Sequence, residues 1–153
     1  MEKIKKTVET IIEAMGFKIK DIAIKKDNLS KDKEVMEVNI EMPSRDAENF
    51  IREGAEGLNA LQHLTRLLLM KDNFGQFVVL DINNYKEARK NELNEIAIDA
   101  AKKVRRTKKP LTLEPMSAYE RRIIHLKLAE LPDIVTESVG EEPERRLVVR
   151  LYP

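Results

Sequence analysis

Hydrophobic spacing that switches repeatedly between helical and strand periods predicts an α+β fold for this 153-residue chain. Three observations carry that reading. The chain opens on an amphipathic helical stripe, residues 35–42 alternate cleanly between apolar and polar, and a second run of helix and strand signals follows residue 83. The length allows one ordinary domain or two small ones. No Gly/Ser-rich linker or internal repeat interrupts it, and the boundary is expected near Asn83-Asn84, giving domains at 1–83 and 84–153.

Ile4, Val8, Ile11, Ile12 and Met15 recur at helical spacing, and Gly16 stops that helix. Residues 17–26 alternate imperfectly, while Met36, Val38 and Ile40 share one face of the next segment, so two strands are expected around a polar turn at 27–32. Pro43 and Ser44 read as a stop and an N-cap for a short helix through Ile51. A glycine-bearing bend at 54–57 leads into another helix, with Leu61, Leu64 and Leu68 as its buried stripe, and 76–82 reads as a third strand. A long helix over 84–106 carries Tyr85, Leu93, Ile96, Ala97, Ala100 and Val104 on its inner face and ends at Lys109-Pro110. Leu111-Thr112-Leu113 is a short strand. Ser117 with Glu120 three residues on is a capping box for the next helix, which Pro132 closes. Strands at 134–138 and 146–151 join across Gly140-Glu141-Glu142-Pro143.

Charge is distributed unevenly. Residues 1–83 hold 13 Lys and Arg against 15 Asp and Glu, and residues 84–153 hold 15 against 12. The densest block is Lys102-Lys103-Val104-Arg105-Arg106-Thr107-Lys108-Lys109, with six cations in eight positions. Its bland reading is the cationic end of a helix, favoured by the macrodipole. Without cysteine there is no disulfide and no thiolate metal site, and His63 and His125 are too few for a histidine-rich one, so no metal or other cofactor is expected. His63 reads as a surface or boundary residue. The amino terminus lacks the apolar core of a signal peptide, and runs such as Leu67-Leu68-Leu69-Met70 are too short to span a bilayer. The expected setting is the cytoplasm, without membrane insertion.

Arg121 and His125 lie about one helical turn apart and would project from the same face. At about 100° per residue, with Arg121 at 0°, His125 falls near 40°, Ala129 near 80° and Arg122 near 100°, a basic stripe expected to face solvent. Such a pair alone reads as a solvated helix face. In a nucleic-acid-binding helix the guanidinium would fork onto a phosphate while the imidazole bonds or stacks on the nucleotide. Arg145 and Arg146, after the hairpin turn, extend the basic surface, and Glu141 and Glu142 are placed to pair with them.

The helix-strand-strand-helix-helix-strand order of the first half resembles a KH domain of the bacterial topology. Leu113 to Leu126, Thr136 to Arg146, Leu58-Asn59-Ala60-Leu61-Gln62, Val79-Leu80-Asp81-Ile82 and Lys103-Val104-Arg105-Arg106-Thr107 together resemble the bacterial Jag family (SpoIIIJ-associated or KhpB-type). Its members are RNA-binding proteins that join a KH domain to an Arg-x-x-x-His domain. The resemblance implies sequence-tolerant binding of single-stranded RNA, post-transcriptional regulation linked to cell elongation, division or sporulation, and pairing with a small single-KH partner or a second copy. It assigns RNA contact to Arg121, His125 and Arg122, to Lys102, Lys103, Arg105, Arg106, Lys108 and Lys109, and to Arg145 and Arg146.

Two departures from the family stand out. Many relatives carry an additional N-terminal Jag domain, whereas this sequence starts at the KH helix. KH domains also clamp the RNA backbone with a Gly-x-x-Gly loop, because glycine lets main-chain amides approach phosphate. Ungapped alignment puts that loop on Arg52-Glu53-Gly54-Ala55, without either glycine, while a literal Gly-x-x-Gly stands two residues later at Gly54-Ala55-Glu56-Gly57. The loop is therefore either shifted or degenerate, with Arg52, Gly54 and Gly57 as its candidate contacts. Two rival readings follow: a protein-interaction scaffold whose KH domain has lost RNA, and single-stranded DNA as the polymer. An enzyme built on His125 with Glu120 or Glu142 is a third, disfavoured by the single candidate histidine and the lack of a metal cluster or a nucleotide-binding glycine loop.

Overall fold

The computed structural model describes residues 1–30 and 33–153. They form an α+β chain of two compact units, Met1–Lys86 and Glu87–Pro153. The first contains α1 (Glu2–Ala14), β1 (Asp21–Ser30), β2 (Lys33–Glu41), α2 (Ser44–Lys71) and β3 (Phe77–Ile82). Helix α3 (Tyr85–Thr107) begins at its end and runs into the second unit, which adds β4 (Leu111–Thr112), α4 (Ala118–Ala129), β5 (Ile134–Val139) and β6 (Arg146–Leu151).

In the first unit β1 and β2 are antiparallel and β2 and β3 parallel, in the order β1-β2-β3. A parallel pair needs a long crossover, and α2 supplies it. Ile4, Val8 and Ile12 of α1 pack with Val38, Ile40, Leu80 and Ile82 of the sheet and Phe50, Leu58 and Leu61 of α2. Phe17 meets Phe50 edge to face, with ring centroids 5.0 Å apart. The outer edge of β3 would expose unpaired backbone groups. Gln62 covers it like a fragment of a fourth strand: its amide donates to the Val78 carbonyl at 2.8 Å and its oxygen accepts from Leu80 N–H at 2.7 Å.

Three expectations shift here. Strand β1 continues to Ser30, so residues 27–30 of the turn expected at 27–32 are strand, and residues 31 and 32 lie outside the described residues. The N-cap of α2 is Pro43, with Ser44 already helical. The buried stripe of the helix after the bend is Leu58, Leu61, Thr65 and Leu69, whereas Leu64 and Leu68 are exposed. That segment is apolar on two faces, so periodicity could not choose between them. The backbone kink before it sets the rotation that decides.

The kink occupies residues 52–55, where Glu53, Gly54 and Ala55 have φ of 50°, 72° and 62°. Helical geometry covers 44–51 and 56–71 on either side, so the bend expected at 54–57 is displaced by two residues. Gly57 is helical. A Cβ there would lie 2.7 Å from the Asn49 carbonyl oxygen and 2.7 Å from the Phe50 Cα, so glycine is required because the two helical arms touch.

The second unit is an antiparallel sheet in the order β4-β6-β5. Leu93, Ala97, Ala100, Ala101 and Val104 of α3 share its core with Ile124 and Leu128 of α4 and Ile134, Leu147 and Val149 of the sheet. Small alanines on α3 let the elements approach closely. Tyr85 instead packs on the first unit's core, away from the other residues expected on the inner face of α3.

Candidate functional site

Helix α4 starts at the expected capping box. Ser117 Oγ accepts from the Glu120 N–H and Glu120 Oε2 accepts from the Ser117 N–H, both at 3.3 Å. The other Glu120 oxygen accepts from Arg89 Nε at 2.7 Å, tying the cap to α3. On the next turns Ile124 and Leu128 enter the core, and this fixes which face of α4 remains open.

Arg121 is not on that open face. Its side chain is 10% exposed, with Nη1 donating to the Met116 carbonyl at 2.6 Å and Nη2 to Glu142 Oε1 at 2.7 Å. The physical reason is rotational: Leu128, seven residues on, projects only about 20° from Arg121, so both lie within the buried arc. His125, at the arc's edge, is exposed, as are Arg122 and Ala129. The expected outward basic stripe therefore survives as Arg122 and His125, with Arg121 held beneath it. Glu142 pairs with Arg121, not with Arg145 or Arg146 as its position in the turn suggested.

A groove of about 580 Å³ runs alongside, lined by Ala118, Tyr119, Arg121, Arg122 and His125 of α4 and by Thr136, Ser138 and Leu147 of the sheet. Thr136 and Ser138 are two apart on β5 and share the core-facing side with buried Ile134. There the inner face of the sheet turns from apolar to hydroxyl-bearing. His125 Nδ1 is hydrogen-bonded to Thr136 Oγ1, which orients the imidazole at the rim. Arg145 Nε donates to Ser138 Oγ at 2.9 Å. The turn carrying Glu142 contains Gly140 at φ +86° and a cis peptide before Pro143. The groove thus offers guanidinium and imidazole donors, two hydroxyls and an exposed phenol ring, which together suit a phosphate, a sugar and a base face. Thr136 and Ser138 are not among the contacts expected from the sequence. Their signal was the Thr-x-Ser alternation opposite an apolar strand.

Other expected contacts lie elsewhere. None of Lys102, Lys103, Arg105, Arg106, Lys108 or Lys109 lines the groove. Arg105 forks onto Asp133 with two bonds of 2.7 Å, which holds the Asp133 carboxyl below its ordinary range. Lys102 faces Asp99 at 3.8 Å, and Arg146 is turned onto Glu144. In the first unit Arg52 pairs with Glu48, exposed Gly54 has open space around it, and Gly57 is in the helix beyond the kink. His63 is exposed, as expected. Neither carboxylate considered for an acid–base pair meets His125: Glu120 is engaged by Arg89 and the cap, Glu142 by Arg121. Among the described residues no helix is long and apolar enough to cross a membrane.

Residues 91–151, which contain the whole groove, match the family of Arg-x-x-x-His domains. The chain is 37% identical over 145 residues to RNA-binding protein KhpB of Clostridium symbiosum, covering 94% of this chain and 63% of that protein. It is 35% identical over 146 residues to RNA-binding protein KhpB of Bacillus subtilis (strain 168), covering 93% and 66%. For the protein of the same name from Streptococcus pneumoniae serotype 2 the figures are 29% over 143 residues, 93% and 41%. The chain spans just under two thirds of the length of the first two relatives.

Proposed function

We infer that this chain, which belongs to the Jag family together with the KhpB proteins, binds single-stranded RNA through the groove beside α4 and serves as a post-transcriptional regulator. The observation that carries the reading is the groove itself. His125, Arg122 and an exposed Tyr119 ring line it from α4, hydroxyls face them from β5, and Arg122 has no ion pair among the described residues. An exposed aromatic beside cations takes a base on its face and a phosphate at its edge, and needs no particular sequence. The cytoplasmic setting and the link to elongation, division or sporulation rest on the family resemblance.

We read residues 1–83 as the KH domain, on the strength of the α-β-β-α-α-β order and the parallel third strand. In this reading its loop is at 52–55 and contributes little to RNA affinity, because Glu53 and Glu56 bring negative charge and Arg52 is turned to Glu48. The test is fluorescence anisotropy with a labelled single-stranded RNA. Arg122→Ala combined with His125→Ala is expected to weaken binding about tenfold or more with an unchanged melting curve, and Arg52→Ala to leave affinity as it was. Each lost phosphate contact should flatten the logarithmic salt dependence by about 0.7. Parental affinity in the double variant removes the groove from the site. A DNA probe of the same sequence decides the polymer, and crosslinking with sequencing of bound RNA identifies transcripts.

A second reading, partnership with a small single-KH protein or a second copy, is favoured by one observation. Leu64, Leu67 and Leu68 form a helical stripe left 46%, 50% and 42% exposed on α2. Apolar side chains at i, i+3 and i+4 on one exposed helix face mark a surface for another helix. Leu64→Lys with Leu68→Lys should abolish association in sedimentation velocity and spare RNA affinity. Association that persists in this variant removes the stripe from the interface.

A further inference from the structure

A second cleft, of about 400 Å³, lies on the other side of the same α4 ridge, between α4 and α3. Tyr119, Ile123, Leu126 and Lys127 line it from α4, at the helical spacing of one continuous face, with Glu130 at that helix's end, and Lys90 and Asn94 line it from α3, four apart. Tyr119 and Arg122 border both this cleft and the groove that holds His125. They form a divide shared by two hollows rather than the far wall of one.

The charges around the cleft are sorted. Arg89 is turned away onto Glu92 and Glu120, at 2.8 and 2.7 Å, and Lys127 is taken by Glu130 at 2.8 Å. Lys90 and Arg122 have no ion pair among the described residues and are left for an outside anion. Between them Tyr119 is 65% exposed and Leu126 54% exposed, a ring face and an aliphatic surface that nothing in this unit covers. Unpaired cations alternating with an exposed ring and an exposed aliphatic side chain are what a single-stranded polyanion needs from a surface: phosphates at the cations, bases on the apolar faces. Tyr119 and Arg122 line both hollows, and this continuity places the two on one path.

We propose that this cleft is a second nucleotide subsite, in which Tyr119 and Leu126 receive a base and Lys90 and Arg122 its flanking phosphate, so that one RNA strand crosses α4 from the His125 groove over the Tyr119–Arg122 divide. The inference rests on the RNA-binding reading given above and extends its footprint to α3. It assigns Lys90, Asn94 and Leu126, which carry no part of the Arg-x-x-x-His signature, to the interface.

The test uses the full chain with labelled oligouridylates of ten and three nucleotides. Lys90→Ala with Leu126→Ala leaves the His125 groove intact and changes only exposed side chains. It is expected to weaken the ten-nucleotide probe about fivefold or more while leaving the three-nucleotide probe unaffected. Leu126→Phe, which offers a flat ring to the same base, is expected to bind the longer probe at least as tightly as the parent. The subsite is overturned if the Lys90/Leu126 variant holds the longer probe as well as the parent does. In that case loss of binding in the His125/Arg122 variant would leave the first groove standing, and parental binding in both variants would remove both sites. A parent chain that binds neither probe overturns both readings.

Discussion

The second unit of an Arg121→Ala chain is expected to melt roughly 10 °C below that of the parent, with RNA affinity falling as a consequence. The guanidinium is almost wholly buried and makes two short bonds, to the Met116 carbonyl before α4 and to Glu142 in the β5–β6 turn. It therefore pins the turn and the start of α4 to one another, on either side of the groove. A hydrogen bond to a charged group contributes about 1.5–3 kcal/mol. Glu142 is 56% exposed and regains water when released, so the combined loss is discounted to about 2 kcal/mol. Lysine should not rescue: one ammonium cannot span two acceptors held in different directions, as the planar fork does. Glu142→Gln, which keeps an oxygen in place, should cost less than Arg121→Ala. A melting temperature for Arg121→Ala within about 2 °C of the parent would show that the latch carries no stability. An outward-facing Arg121, as the helix spacing alone predicts, could be removed with melting nearly unchanged. The buried geometry reverses that expectation and makes Arg122 with His125 the cleaner probe of binding.

The second large effect concerns the glycines of the literal Gly-x-x-Gly. Gly57→Ala should destabilise the first unit by about 2–3 kcal/mol, the cost of forcing a methyl into packed backbone. The added Cβ would meet the Asn49 oxygen and Phe50 Cα at 2.7 Å, and backbone cannot swing aside as a side chain can. Relief would require prying the two arms of α2 apart at Phe50, which lies against Phe17 in the core. Gly54→Ala has open space around it and bears only the strain of its φ of +72°, about 1 kcal/mol. Urea unfolding midpoints distinguish the two, and a greater loss at Gly54 than at Gly57 would refute the close-crossing account. If the expected order holds, Gly57 acts in helix packing and the sequence match at 54–57 is coincidental.

Much of the fold was legible because its signals are local. Ser117 and Glu120 announce a capping box that needs only one turn of helix to form, and it forms. The alternation of Met36, Val38 and Ile40 and the hairpin flanking Gly140 likewise depend on neighbours in sequence. The failures occur where two registers were equally consistent with the pattern. Leu61 and Leu64 both fit an apolar stripe, and a kink at 52–55 or 54–57 both place a glycine in the bend. Which one holds depends on helix 44–51 crossing helix 56–71, a contact between segments that local pattern does not encode.

The candidate site divides in the same way. Residue chemistry and spacing by themselves determined that a guanidinium and an imidazole stand one turn apart on a capped helix, in a chain whose second half is the more basic. Tertiary packing decided what each does. Ile124 and Leu128 enter the core and carry Arg121 with them, so a charge expected to grip a phosphate became an internal brace to Glu142. His125, about 40° further around the helix, remained in water beside Thr136. A rotation of less than half a right angle separates brace from contact, because burial is set by the sheet against which the helix lies and not by the helix's own sequence.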